Sequence, residues 1–249
     1  MASESPTIDL HAQSASAPTG GDLFNTLQIG PRVAFLLTDI AGRRPELDPI
    51  AAAMQRAFRT TTTGLLTAPI VNLMETTETL ILEINHALVA TAKHARFAPT
   101  VVGCYDSQLG ILAYINAGGQ TALFHDSEGT RALPNVSVPL GLFTHLPYDA
   151  SIQAFEPGAI LLVVTKGIND SLESRSQSGP ERLIELLESS KPNSANDLCT
   201  TVLTAARQSR KPHLDWLPFQ TKPVLEDLTA LTLIRPSSCA QLTKQHPSS

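Results

Sequence analysis

The sequence predicts an α+β fold in which antiparallel β-sheets are flanked by helices. Three observations lead to this prediction. Most apolar runs are short and separated by turn residues, as in consecutive hairpins. Helical spacing of apolar residues occurs in two places, each of which holds a pair of helices. A parallel sheet would instead alternate strands and helices along the whole chain.

The first part of the chain predicts three strands that lead to two aspartates. Residues 7–12 alternate apolar and polar side chains, as in a half-buried strand. Residues 22–29 form a second run, and Gly30-Pro31 is a turn into the apolar run of residues 32–38. The pattern therefore predicts a hairpin flanked by Asp22 and Asp39.

Two helices are predicted next. Apolar residues recur at helical spacing from Ile50 to Phe58 and again from Ile70 to Ala92. Between them lie four threonines, residues 60–63, and Gly64. Because β-branched residues and glycine weaken a helix, we expect a loop at this point.

The second part of the chain predicts an antiparallel meander, a further strand pair, two helices and a last strand. The meander comprises residues 100–105, 111–116 and 121–125, and the pair comprises residues 151–155 and 159–165. Helices are predicted at residues 180–190 and 195–209, and the last strand at residues 229–234. We expect one domain over residues 7–235, with disordered tails at residues 1–6 and 236–249.

Composition excludes several classes of function. The 249 residues are 42% hydrophobic and 16% charged, as in an ordinary soluble globular protein. A net charge of −5 and a pI near 5.8 argue against nucleic acid as a partner. Three scattered cysteines predict neither a disulfide framework nor a zinc site. We expect no membrane partner and a cytoplasmic location, because signal-peptide features and long apolar runs are missing from the sequence.

Three acidic motifs stand beside predicted strands, far apart along the chain: Gly20-Gly21-Asp22, Thr38-Asp39-Ile40-Ala41-Gly42 and Glu226-Asp227-Leu228-Thr229. Carboxylates gathered from distant strand ends form sites for hard cations. Any one of these aspartates alone is more often a turn residue, so the prediction depends on the three together. In a fourth motif, Val163-Val164-Thr165-Lys166-Gly167, a strand runs into a turn and a lysine stands where a fourth carboxylate would complete the set.

Taken together, these motifs resemble the metal-dependent PPM-type serine/threonine phosphatases, in their SpoIIE/RsbU-like branch. The resemblance runs from about residue 7 to residue 235 and includes three further motifs: Asn116-Ala117-Gly118, Pro139-Leu140-Gly141-Leu142 and Glu156-Pro157-Gly158. It implies a sandwich of two antiparallel sheets with helices on both outer faces. It also implies hydrolysis of phosphoserine or phosphothreonine by a metal-activated water. The implied partner is a phosphorylated regulatory protein, such as an anti-sigma-factor antagonist.

The resemblance also implies roles for individual residues. Asp22, Asp39 and Asp227 match metal-binding positions, with Asp39 as the catalytic residue that bridges two Mg²⁺ or Mn²⁺ ions and the Ile40 carbonyl as a further ligand. Lys166 replaces the aspartate that the family has between Thr and Gly. This replacement removes oxygen ligands and changes the local charge by two units, so we expect at least one metal to bind less well.

The pose of Lys166 separates the functional hypotheses. We expect its ammonium to point into the site, where it joins Asp39 as a candidate catalytic group. The alternative is that its flexible stem swings to solvent and leaves a one-metal site. The first functional hypothesis is a phosphatase, and the second is a pseudophosphatase that acts as a protein-binding module in partner switching. A third is a phosphatase that works with one metal and the lysine ammonium.

Overall fold

The computed structural model describes residues 8–17, 20–42, 44–94, 96–210 and 226–237. The predicted tail at residues 1–6 and all of the tail predicted at residues 236–249 except its first two residues lie outside the described residues, so disorder there stays a prediction. Within the described part of the chain, no helix is long and apolar enough to cross a membrane.

The described strands form two five-stranded antiparallel sheets. The first sheet contains β1 (Asp9–Ala15), β6 (Thr121–Asp126), β7 (Gly129–Ala132), β9 (Ile160–Val164) and β10 (Leu228–Ile234), in the order β1-β10-β9-β6-β7. The second sheet contains β2 (Asp22–Ile29), β3 (Arg32–Asp39), β4 (Thr100–Asp106), β5 (Ile111–Ala117) and β8 (Ser151–Ala154), in the order β2-β3-β4-β5-β8.

Helices cover the outer face of each sheet. The second sheet packs against α1 (Arg44–Leu66) and α2 (Leu73–Thr91). The first sheet packs against α3 (Lys166–Leu172), α4 (Gly179–Ser189) and α5 (Ala195–Ser209). A third apolar cluster fills the space between the sheets. The predicted sandwich of two antiparallel sheets with helices on both outer faces is therefore confirmed.

Residues 33–37 of strand β3 are all apolar because both faces of the strand are covered. Leu36 faces the helical layer, whereas Phe35 and Leu37 face the other sheet, and all three are fully buried. Successive side chains of a strand point to opposite faces, so a strand covered on both faces needs apolar residues at every position. This packing on both faces fixes where Asp39 leaves the sheet.

The expected loop at residues 60–64 is wrong, because α1 continues through the four threonines to Leu66. Burial overrides the weak helix propensity of these residues. The buried face of α1 repeats every four residues along its length, at Ile50, Met54, Phe58, Thr62 and Leu66. The break comes later, where the Asn72 side chain accepts hydrogen bonds from the Met74 and Glu75 N–H groups and caps α2.

Two short elements of the structure, β7 and α3, were not predicted from the sequence. Strand β7 completes a tight hairpin with β6, in which Asp126 pairs with Gly129. Helix α3 begins directly at the end of β9, where the sequence predicts only a turn. Its first residue is Lys166, so the lysine is held at the start of a helix.

Candidate functional site

The three aspartates of the acidic motifs meet at one edge of the sandwich. Asp22, the first residue of β2, and Asp39, the last residue of β3, are direct partners across the hairpin. Asp227 lies just before β10, in the other sheet, and its Oδ2 accepts a hydrogen bond of 3.3 Å from the Asp22 N–H. Residues that are 205 positions apart in sequence are thus in contact.

The two glycines before Asp22 make this close approach sterically allowed. A Cβ on Gly20 would lie 1.8 Å from the Asp227 carboxyl carbon, and a Cβ on Gly21 would lie 2.0 Å from the Ile40 carbonyl oxygen. No side chain fits at either position. The other oxygen of Asp227, Oδ1, accepts a short hydrogen bond from the Ala17 N–H, so backbone donors hold both oxygens of this buried carboxylate.

A buried threonine connects Asp22 to the first sheet. The Thr165 hydroxyl donates a hydrogen bond of 2.7 Å to Asp22 Oδ2 and accepts one of 3.2 Å from the Thr229 N–H. Both threonines are fully buried. Asp22 belongs to the second sheet, whereas Thr165 and Thr229 belong to the strand ends of the first. The carboxylate is therefore part of the joint between the sheets.

The environment raises the pKa of two of the aspartates. Burial raises the pKa of Asp22 to about 7, although hydrogen bonds from Thr165 and Thr229 act in the opposite direction. Burial also raises the pKa of Asp39, and the nearby charge of Glu226 raises it further, while that of Lys166 lowers it. Asp22 and Asp39 are therefore harder to ionise than exposed aspartates.

Lys166 does not adopt the inward pose that we expected. Its ammonium lies 2.5 Å from Asp170 Oδ2 and 3.3 Å from Glu226 Oε1, and 61% of its side chain is exposed. The hydrogen bond that the Lys166 ammonium donates to Asp170 is the main reason why the pKa of Lys166 is raised. Helix α3 determines this pose, because it places Asp170 one turn after Lys166. The lysine stands at the rim of the acidic site, bound to two carboxylates.

Three residues at the site had no role in the sequence prediction: Thr165, Asp170 and Glu226. Glu226 belongs to the third acidic motif, but the sequence prediction assigned metal binding to its neighbour Asp227. In the structure, the Glu226 carboxylate faces Lys166 and affects the pKa of Asp39, while Asp227 turns toward backbone N–H groups. Lys166 and Asp170 are four residues apart, a spacing at which side chains meet on a helix, so their ion pair could have been predicted from the sequence.

The described carboxylates are not grouped around a common position for two divalent cations. Asp22 is bound by Thr165, Glu226 is bound by Lys166, and Asp227 accepts backbone hydrogen bonds. Among the residues that the structure describes, no group of three or more His, Cys, Asp or Glu side chains is arranged to hold a metal ion. The assignment of Asp22, Asp39, Asp227 and the Ile40 carbonyl as metal ligands stays a prediction.

Comparison with known proteins decides the family. A sequence model of the family described as Stage II sporulation protein E (SpoIIE) matches residues 30–234, which is most of the chain. This chain belongs to the SpoIIE family. The phosphoserine phosphatase RsbP of Bacillus subtilis (strain 168) is 27% identical to it over 204 residues, covering 80% of this chain and 47% of RsbP. The chain thus spans about half the length of this relative.

Solved structures show that the SpoIIE-family chain has the fold of PP2C-type phosphatases. The PP2C phosphatase domain of SpoIIE from Bacillus subtilis, solved with a fragment of its regulatory domain, matches with a TM-score of 0.73 and 10% identity, over 93% of this chain and 64% of that one. The catalytic domain of the serine/threonine phosphatase PstP, in complex with two manganese ions, matches with a TM-score of 0.62 and 10% identity, over 92% of this chain and 99% of that one.

The close contact at Gly20 predicts a strong effect of a single methyl group. Gly20→Ala should destabilise the protein, because the new Cβ collides with the Asp227 carboxylate and separates it from its backbone donors. Gly64→Ala is the matched control, since Gly64 lies in α1 with open space around it and should gain up to about 1 kcal/mol of stability. Urea unfolding of both variants tests this, and equal effects would contradict the tight contact.

The raised pKa of Asp22 predicts a pH dependence of stability. The folded protein retains the Asp22 proton up to about pH 7, whereas the unfolded chain releases it near pH 3.8. This contribution to stability is complete below the unfolded pKa and is lost as the pH rises through about 7. Asp22→Asn removes the titration and keeps an oxygen acceptor for Thr165. Unfolding at pH 5 and pH 8 should show the variant gaining on the wild type at pH 8, and an unchanged difference would contradict the shift.

Proposed function

We propose that this chain is a protein-binding pseudophosphatase of the SpoIIE family. It keeps the phosphatase fold, binds a regulatory partner protein, and hydrolyses phosphate slowly or not at all. The observation that carries this proposal is the Lys166 ammonium at the acidic site, within 2.5 Å of Asp170 Oδ2 and 3.3 Å of Glu226 Oε1.

The size of the electrostatic effect supports a loss of metal affinity. Two unit charges 4 Å apart near a protein surface interact by about 4 kcal/mol, before screening by salt. Lys166 is exposed, so only part of this repulsion would act on a cation. Even one third of it, about 1.4 kcal/mol, lowers an affinity tenfold. The same ammonium also binds Glu226, a carboxylate whose charge raises the pKa of Asp39.

The proposed partner is a regulatory protein that carries phosphoserine or phosphothreonine, such as an anti-sigma-factor antagonist. Two facts support this class of partner. The relative RsbP is named a phosphoserine phosphatase. The described residues contain both sheets and both helical layers of the phosphatase fold, which supports retention of a partner-binding surface.

A second candidate function is a metal-dependent phosphatase that acts on the same kind of partner. The pairing of Asp22 with Asp39, beside the Ile40 carbonyl, supports it, because the family resemblance implies that these groups bind metal. In this alternative, the solvent-exposed stem of Lys166 moves away when Mg²⁺ or Mn²⁺ binds.

Hydrolysis of p-nitrophenyl phosphate and of a phosphoserine peptide in Mn²⁺ distinguishes the two candidates. The wild type should be no faster than Asp39→Asn, a variant that removes the charge of the predicted bridging carboxylate. Lys166→Asp should be faster than the wild type by about tenfold or more, because it exchanges a repelling charge for an attracting one.

The control for Lys166→Asp is the double variant Lys166→Asp/Asp39→Asn. Its activity should return to the background if the gain depends on the acidic site. Wild-type turnover well above that of Asp39→Asn would contradict the pseudophosphatase proposal and support the metal-dependent phosphatase.

A further inference from the structure

We propose that the Lys166 ammonium acts at the rim of the acidic site as a bound divalent cation would, joining the Asp170 and Glu226 carboxylates so that the folded protein needs no metal there. This inference rests on the proposed function and deepens it. The ammonium connects three carboxylate oxygens from two separate segments: Oδ2 of Asp170 at 2.5 Å, and Oε1 and Oε2 of Glu226 at 3.3 Å and 3.4 Å. Joining carboxylates from distant segments is what a bound cation does in a protein.

The position of Lys166 in α3 explains why it needs these carboxylates. A positive charge in the first turn of a helix is unfavourable, because the helix N-terminus carries a partial positive charge. Asp170 and Glu226 offset that repulsion. An acidic residue at the same position would be favourable to the helix, so the lysine is not there to stabilise α3 by itself.

A second cation completes the attachment of the segment that leads into β10. Arg210 Nη2 donates a hydrogen bond of 2.6 Å to the Glu226 carbonyl oxygen, and Arg210 Nε donates one of 3.1 Å to Ser171 Oγ. Lys166 thus holds the side chain of Glu226, and Arg210 holds its backbone. Gly167 lets the backbones pack closely, since a Cβ there would lie 2.1 Å from the Asp227 carbonyl oxygen.

The ammonium also balances the charges of its two partners. Without it, the Asp170 and Glu226 carboxylates would repel each other, and Arg210 contacts the Glu226 backbone rather than this carboxylate. A site of that charge attracts divalent cations.

Thermal unfolding with and without Mn²⁺, after dialysis against EDTA, tests the inference. The wild-type Tm should not change with Mn²⁺. Lys166→Met, which keeps the length of the stem, should have a lower Tm in EDTA. Its Tm should rise by roughly 5–10 °C once Mn²⁺ exceeds its Kd about 100-fold. Lys166→Gln provides a second neutral variant if Lys166→Met does not fold.

Two further variants serve as controls. Lys93→Met removes an exposed lysine next to the end of α2 and should behave like the wild type. Lys166→Met/Glu226→Gln removes the carboxylate that would bind the incoming cation and should lose the Mn²⁺ response. A wild-type Tm that rises with Mn²⁺, or neutral Lys166 variants that do not respond, would overturn the inference.

The same measurements separate this inference from the proposed function. If Mn²⁺ stabilises the wild type and the wild type hydrolyses no phosphate, the inference about Lys166 is overturned and the pseudophosphatase proposal stands. A wild type that hydrolyses phosphate with no Mn²⁺ response of its Tm would overturn the pseudophosphatase proposal alone.

Discussion

The architecture of the site depends on the buried carboxylate of Asp227, which joins the two sheets where the acidic motifs meet. It precedes β10 in the first sheet and accepts hydrogen bonds from the backbone of Ala17 and of Asp22, which begins β2 in the second. A buried carboxylate is costly unless donors surround it, and backbone N–H groups meet that need here. Gly20 is required because a side chain would occupy the space of this carboxylate.

The position of Asp22 between the two sheets affects its ionisation. Burial in this joint raises the pKa of Asp22 to about 7, and the nearby charges of Asp39 and Asp227 act in the same direction, whereas the hydrogen bond from Thr165 acts in the opposite one. The edge of the sandwich therefore brings carboxyl groups together where their ionised forms need compensation. In this chain, part of it comes from Lys166 at the rim, a covalently attached cation that cannot diffuse away as a metal ion can.

The sequence was sufficient for most of the fold because its signals are local. The hairpin from Asp22 to Asp39 follows from alternating and continuous apolar runs around a Gly-Pro turn. Helix α1 was predicted only in part, because the burial of Thr62 becomes visible only once α1 packs against the second sheet. Propensity alone cannot anticipate such tertiary packing.

The site was harder to predict than the fold. The motifs identified Asp22, Asp39 and the Glu226-Asp227 pair, and these residues do meet in the structure. Adjacent residues at the start of a strand point in different directions, so the sequence could not say which acid of the pair contacts Lys166 and which accepts backbone hydrogen bonds. The pose of Lys166 depended on α3, which was not predicted, and on Glu226, which is 60 positions away.

The stoichiometry of Mn²⁺ binding to the wild-type protein, measured by titration calorimetry, tests the central claim most directly. The claim is that the described carboxylates do not hold two divalent cations while the Lys166 ammonium lies beside them. It predicts weak binding of fewer than two Mn²⁺ ions per chain. Two tightly bound ions per chain would contradict it and would mean that Lys166 leaves the acidic site when metal binds.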